Sequence, residues 1–158
     1  MEPPLGRRLY LSHRAVHDAL DARLAERGAS LWHWVLLREA ALADGASQRA
    51  LAQQMHIEPP SLVRQLDTLA ADGLIERRPD PDDRRVSRVH VTAAGRKRLT
   101  ELNRVAQRFD GELRGALGEG KFTEAEIDRL GDALLAIHVH FAGADPIQVA
   151  GVRTTRGA

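Results

Sequence analysis

Apolar residues recur along most of this chain at intervals of three and four, the spacing that gathers side chains on one face of a helix. Leu9, His13, Val16, Leu20 and Leu24 predict a first helix from about Leu5 to Glu26, stopped by Gly28. Ser30 is a good N-cap for a second helix to about Leu42, and its opening Leu-Trp-His-Trp-Val-Leu-Leu is too apolar for an exposed surface. After the break at Asp44-Gly45-Ala46, Ser47 can cap a short third helix, Gln48 to Met55, with Leu51 and Met55 turned inward. Pro59 and Pro60 open a fourth helix, because proline is tolerated where backbone donors are unpaired anyway. Leu62, Leu66 and Leu69 form its buried side, and Gly73 ends it.

The period then changes from helical to alternating. Leu74 to Arg78 and Val86 to Thr92 read as two strands, with Val89 and Val91 set against Arg88 and His90 and the charged run Pro-Asp-Pro-Asp-Asp between them. Helical spacing returns with Leu99, Leu102, Val105 and Phe109 or Leu113, predicting a long helix from Thr92 to about Leu113 that glycines 115, 118 and 120 terminate. Thr123 and Glu126 form a capping box for a last helix, Glu124 to about Phe141, striped by Ile127, Leu130, Leu134 and Ile137. The fold class expected is mainly α with a small β-hairpin.

Composition narrows the function. The 158 residues are 43% apolar and 28% charged, as in an ordinary folded chain with room for a real core. The absence of cysteine excludes disulfide frameworks, thiolate zinc sites and cysteine nucleophiles, and predicts a reducing, cytoplasmic location. With no apolar run near the N-terminus and none of about 18 residues elsewhere, neither secretion nor membrane insertion is expected. The net charge is only +1, but Ala46 to Arg98 carries ten basic and seven acidic residues, so the middle of the chain is the basic part. An enzyme finds no support: there is no phosphate-binding glycine loop, no metal-ligand triad and no Gly-x-Ser-x-Gly signature.

The order short helix, turn, second helix, hairpin is that of a helix-turn-helix followed by a wing, which can place the second helix in a DNA major groove. Gln48 to Met55, Ile57-Glu-Pro-Pro-Ser-Leu-Val-Arg-Gln-Leu-Asp to Leu69, Asp72-Gly-Leu-Ile-Glu-Arg, Asp82-Asp-Arg-Arg and Val91-Thr-Ala-Ala-Gly95 follow one another in this arrangement. In these segments the chain resembles the MarR family of winged helix-turn-helix transcription regulators, and the likeness extends by pattern from Leu9 to Phe141. It implies an N-terminal dimerisation helix (1–29), a winged helix-turn-helix domain (30–92), C-terminal dimerisation helices (93–141) and a flexible tail (142–158). It further implies a homodimer in which two recognition helices ~34 Å apart read a pseudo-palindrome in double-stranded DNA, as a repressor.

Carried over residue by residue, the resemblance makes Ser61 and Arg64 the hydroxyl and the arginine that meet bases or phosphates. Val63 stands where a hydroxyl residue is usual and offers a thymine methyl contact instead, while Pro60 removes a backbone donor from the helix start. Ser47, Gln48 and Thr68 complete the expected DNA surface with the wing residues Asp83, Arg84, Arg85 and Arg88. Asp83 and Arg85 look like the wing's Asp-x-Arg pair, Arg84 and Arg88 suit phosphates, and the wing cluster including Arg77 and Arg78 reads as a nucleic-acid contact.

Relatives of this kind respond to aromatic or phenolic anions, and Tyr10, His13, Arg14, His17, Trp32 and His33 are the candidate effector residues, as aromatic walls with a cation. Trp34 reads as core. His13 and His17 have the one-turn spacing of a shared metal, but no histidine of the long fifth helix joins them, so neither metal nor cofactor is expected. The alternatives are a metal-responsive regulator of the same fold and a winged-helix module that binds protein.

Overall fold

The computed structural model describes residues 3–142, where six helices and two strands follow the expected order. They are α1 (Leu5–Ala25), α2 (Leu31–Leu42), α3 (Gln48–Gln54), α4 (Pro59–Ala71), β1 (Ile75–Pro79), β2 (Ser87–Val91), α5 (Ala93–Glu119) and α6 (Glu124–Ala142). Apart from its first residue, the tail expected at 142–158 lies outside the described residues. The chain forms two compact units that divide after Phe109, within α5.

In the first unit, Leu36, Leu37, Leu51, Leu62, Leu66 and Leu69 from α2, α3 and α4 pack with Ile75, Val89 and Val91 of the hairpin. Each such side chain contributes roughly 1.5–3 kcal/mol on burial, and together they fix how the short helices lie against the strands. A second cluster joins Leu24, Ala29 and Leu102, with Leu20, Trp34 and Val105 packed on it. Trp34 is thus a packing residue, as expected, and its indole N–H donates to Asn103 Oδ1 at 2.8 Å.

The helix starts follow the capping residues named from sequence. Ser30 Oγ accepts from the His33 N–H and Ser47 Oγ from the Ala50 N–H, both at 3.1 Å. Four helix ends share one device. Residues 28, 56, 73 and 121 adopt positive φ, and the next backbone N–H in each case returns to a carbonyl five residues earlier. Gly28 and Gly73 were the expected stops, whereas His56 and Lys121 take the same conformation without being glycine.

The strands pair antiparallel with Ile75 opposite Val91 and Arg77 opposite Val89. β1 is shifted by one residue from the span the alternation suggested and β2 is shorter by one residue at each end, so that Pro79 closes β1 opposite Ser87 rather than belonging to the tip. The loop before α3 covers the other side of β2: the Gly45 N–H donates to the Val89 carbonyl at 2.8 Å and the Val89 N–H to the Ala46 carbonyl at 2.9 Å. β2 is therefore bonded on both sides and offers no free edge there.

The expected end of α5 near Leu113 is corrected. The helix continues through Gly115 and Gly118 to Glu119. Glycine within a helix costs only about 1 kcal/mol relative to alanine, and the half-buried Leu113 and Leu117 continue the apolar pattern across it. In the second unit Arg114 reaches Asp110 at 3.3 Å and Glu124 and Asp128 at 3.0 Å each. The capping box forms as read, with Thr123 N–H donating to Glu126 Oε2 at 2.8 Å and Glu126 N–H to Thr123 Oγ1 at 3.3 Å. No helix among the described residues is long and apolar enough to cross a membrane.

Candidate nucleic-acid interface

One helix supplies both a core face and a reading face. On α4, Leu62, Leu66 and Leu69 are buried, while Ser61, Arg64 and Thr68, at intervals of three and four, stand together on the exposed side. Thr68 Oγ1 donates to the Arg64 carbonyl at 3.3 Å, within the helix. Pro60 lies in the first turn, where its missing N–H breaks no helical bond. Val63 is exposed but belongs to the flank next to the wing, since its carbonyl accepts from Arg77 Nη2 at 3.3 Å.

Arg77 is a strut in this arrangement. Besides Val63 it reaches Asp67 at 2.6 Å, joining β1 to the recognition helix. Its Nε is buried and has no hydrogen-bond partner, so the side chain is committed to this position rather than extended to solvent. Arg78 is paired with Glu76 on its own strand. The wing's basic cluster therefore separates into two anchored arginines and two free ones: among the described residues, Arg84 and Arg85 are exposed at the tip with no side-chain partner.

The carboxylate that organises the wing is Asp80, which pattern reading did not single out. It is only 6% exposed and accepts from the backbone N–H groups of Asp82 at 2.8 Å and Asp83 at 3.2 Å. Arg88 Nε donates to its other oxygen, while Arg88 Nη1 donates to the Gly45 carbonyl at 2.9 Å. The Asp82 backbone bond, with further help from Arg88 and Asp83, holds the Asp80 carboxyl below the usual carboxylate range. Arg88, expected to meet phosphate, is instead a clamp between the wing and the loop before α3. Asp83 likewise uses its carboxylate on the Arg85 backbone N–H at 3.0 Å, where a pairing with the guanidinium was expected. Proline on both sides of Asp80 was the available signal, since Asp in such a turn commonly bonds backbone N–H groups ahead of it.

Ser47 and Gln48 are half-buried, and Ser47 serves as the cap of α3 and bridges to Arg88. Of the expected DNA-surface residues, Ser61, Arg64 and Thr68 on α4 and Arg84 and Arg85 on the wing are the exposed side chains with donors to offer.

The expected effector residues do not converge. Tyr10 and Trp32 are exposed, His13 and Arg14 are also exposed, and His17 contacts its neighbour Asp18 at 3.2 Å. A crevice of about 240 Å³ does open in the first unit, but of the six candidates only His33 lines it, with Asp72, Arg98 and the apolar Leu37, Leu69 and Leu102. Arg98 takes the place expected of Arg14; helical phase alone could not show that the start of α5 faces this space. The His13 and His17 rings lie 5.9 Å apart, and no group of three metal-ligating side chains exists among the described residues.

Comparison with known proteins agrees with this geometry. Residues 30–87, from the cap of α2 to the start of β2, match the sequence model of the MarR family. A structure of an E. coli MarR mutant complexed with operator DNA is 23% identical, covering 85% of this chain and 93% of that one, with a TM-score of 0.73. A MarR transcriptional regulator from Methanosarcina mazei Go1 is 19% identical over 88% of this chain and 96% of its own, also at 0.73. The transcriptional repressor CouR, bound to a 23-mer DNA duplex, is 26% identical over 88% and 92% of the two chains, at 0.73. Residues 30–87 thus carry the MarR family pattern, and the described chain has the winged helix-turn-helix fold of MarR transcription regulators, a family of DNA-binding proteins rather than enzymes.

Proposed function

We propose that this protein is a cytoplasmic transcriptional repressor that binds a pseudo-palindromic operator as a homodimer and is released from it by a small aromatic or phenolic anion. The observation that carries the reading is the exposed row Ser61, Arg64, Thr68 on α4, backed by a leucine face and flanked by a wing whose tip arginines are unpaired. In this reading α4 enters the major groove, Arg64 reads a base edge and Arg84 and Arg85 meet backbone or minor groove. The operator and duplex complexes of two similar proteins support it. The helices outside 30–92 serve dimerisation, and the crevice beside His33 and Arg98 is the site for the anion, with leucine walls for a ring and a guanidinium for its charge.

Selection of bound sequences from random duplexes by the purified full chain tests the central claim. Enrichment of a two-fold symmetric motif is expected. Arg64→Ala should then cost about 1–3 kcal/mol and relax preference at one position in each half-site, whereas reversing Arg84 and Arg85 should weaken binding to all sequences and flatten its salt dependence. Failure to enrich any motif, or wild-type affinity in all these variants, would refute it.

A further inference from the structure

Away from the reading surface, several arginines gather where the end of α1 approaches α5. A cavity of about 210 Å³ is lined there by Arg27, Arg98, Glu101, Arg104, Val105 and Arg108, four arginines against one glutamate. The sequence spacing explains the convergence, because positions 98, 101, 104, 105 and 108 fall on one face of a helix. Arg98 is held in place, with Nη1 3.4 Å from Glu101 and Nη2 donating to the Arg27 carbonyl. The side chains of Arg27, Arg104 and Arg108 have no protein partner among the described residues. The arrangement leaves their mutual repulsion largely uncompensated in a concave wall, where fields are focused rather than dispersed.

We propose that this cavity binds a small multivalent oxyanion, with the fixed Arg98 and the exposed Arg104 and Arg108 as its principal donors. Guanidinium forks match the paired oxygens of phosphate and carboxylate groups, and several around one volume favour an anion carrying more than one charge. At about 30 Å³ per water the cavity has the room of about seven waters, enough for two linked phosphates. The four cations converge on one concavity instead of forming the extended stripe that tracks a duplex backbone, which favours a small anion over DNA. This site adjoins the crevice beside His33, with which it shares Arg98 and no other lining residue, and its occupation does not depend on the operator reading.

Calorimetric titration of the full chain with inorganic pyrophosphate, at ionic strength held constant with sodium chloride, tests the assignment. Saturable binding of one anion per chain is expected, weakened at least tenfold in the Arg104→Ala/Arg108→Ala double variant and in Arg108→Glu, and unchanged in Arg64→Ala. Both substituted side chains are exposed, and circular dichroism would verify that the variants fold. Absence of saturable binding, or equal binding by wild type and folded variants, overturns the proposal. So does binding of salicylate rather than pyrophosphate at these arginines, or a general loss of DNA affinity in the double variant without any pyrophosphate binding, which would assign the cavity to the DNA backbone.

Discussion

Asp80 carries more of the wing's shape than any exposed residue near it, because one carboxylate joins two backbone N–H groups of the tip to the Arg88 clamp. Those bonds favour its ionised form and keep its pKa below the ordinary 3.8. Its contribution to stability is therefore fully present above that value and is lost as pH falls through the lower folded pKa. Asp80→Asn should lower the midpoint of urea unfolding at pH 7, and the gap from wild type should shrink below about pH 3.8. A gap constant from pH 6 to pH 2 would show that the carboxylate charge has no such role. The same scale explains why arginines that look alike in sequence diverge: Arg77 meets Asp67 and a helix carbonyl, whereas Arg84 is exposed and makes no ion pair among the described residues.

Elements join at glycine-like positions, and these differ in what they tolerate. Gly95, in the first turn of α5, is buried, and a Cβ there would stand 2.0 Å from the Leu74 carbonyl oxygen and 2.8 Å from Val91 Cγ1. A backbone oxygen cannot rotate away, so Gly95→Ala should destabilise by at least about 3 kcal/mol, near or beyond the upper range of ordinary overpacking. Gly111 lies inside the same helix with nothing within 4 Å of the equivalent point. Gly111→Ala should instead stabilise by about 0.5–1 kcal/mol through the unfolded chain and helix propensity. Chemical denaturation of the two variants compares them directly, and equal effects would mean that the close approach at Gly95 relaxes without cost.

For the whole molecule, the notable quantity is apolar surface left uncovered by one chain. Leu130, Leu134, Ile137 and Phe141 are spaced along α6 at intervals of three and four and are 43%, 45%, 37% and 82% exposed. On α1, Leu5, Tyr10, Leu11 and Val16 are exposed as well. A continuous stripe of this kind calls for a partner surface, and a second copy would also bring two reading heads to one DNA site. Sedimentation equilibrium at micromolar concentration should give a dimer, and Leu134→Glu should shift it toward monomer and weaken operator binding at the same time. A wild-type monomer that binds operator with full affinity would oppose the dimeric reading.

Helix and strand order, the buried leucines of α4, the caps at Ser30, Ser47 and Thr123 and the family likeness were all legible in the sequence, because each depends on residues within a few positions of one another. Arg64 and Ser61 were legible for the same reason, as the opposite face of a leucine stripe. The true end of α5 was not, since a helix can pass through Gly115 and Gly118 when its neighbouring leucines are covered. The turn at His56 was hidden too, because its left-handed conformation accompanies a backbone bond from Ile57 to Ala52 rather than the conformational freedom of glycine. Tertiary structure alone divided the wing arginines into struts and free cations, and alone placed Arg98, not Arg14, beside His33. Charge and residue type are properties of the chain, but whether a guanidinium is available depends on which carboxylates and carbonyls the fold brings within about 3 Å of it.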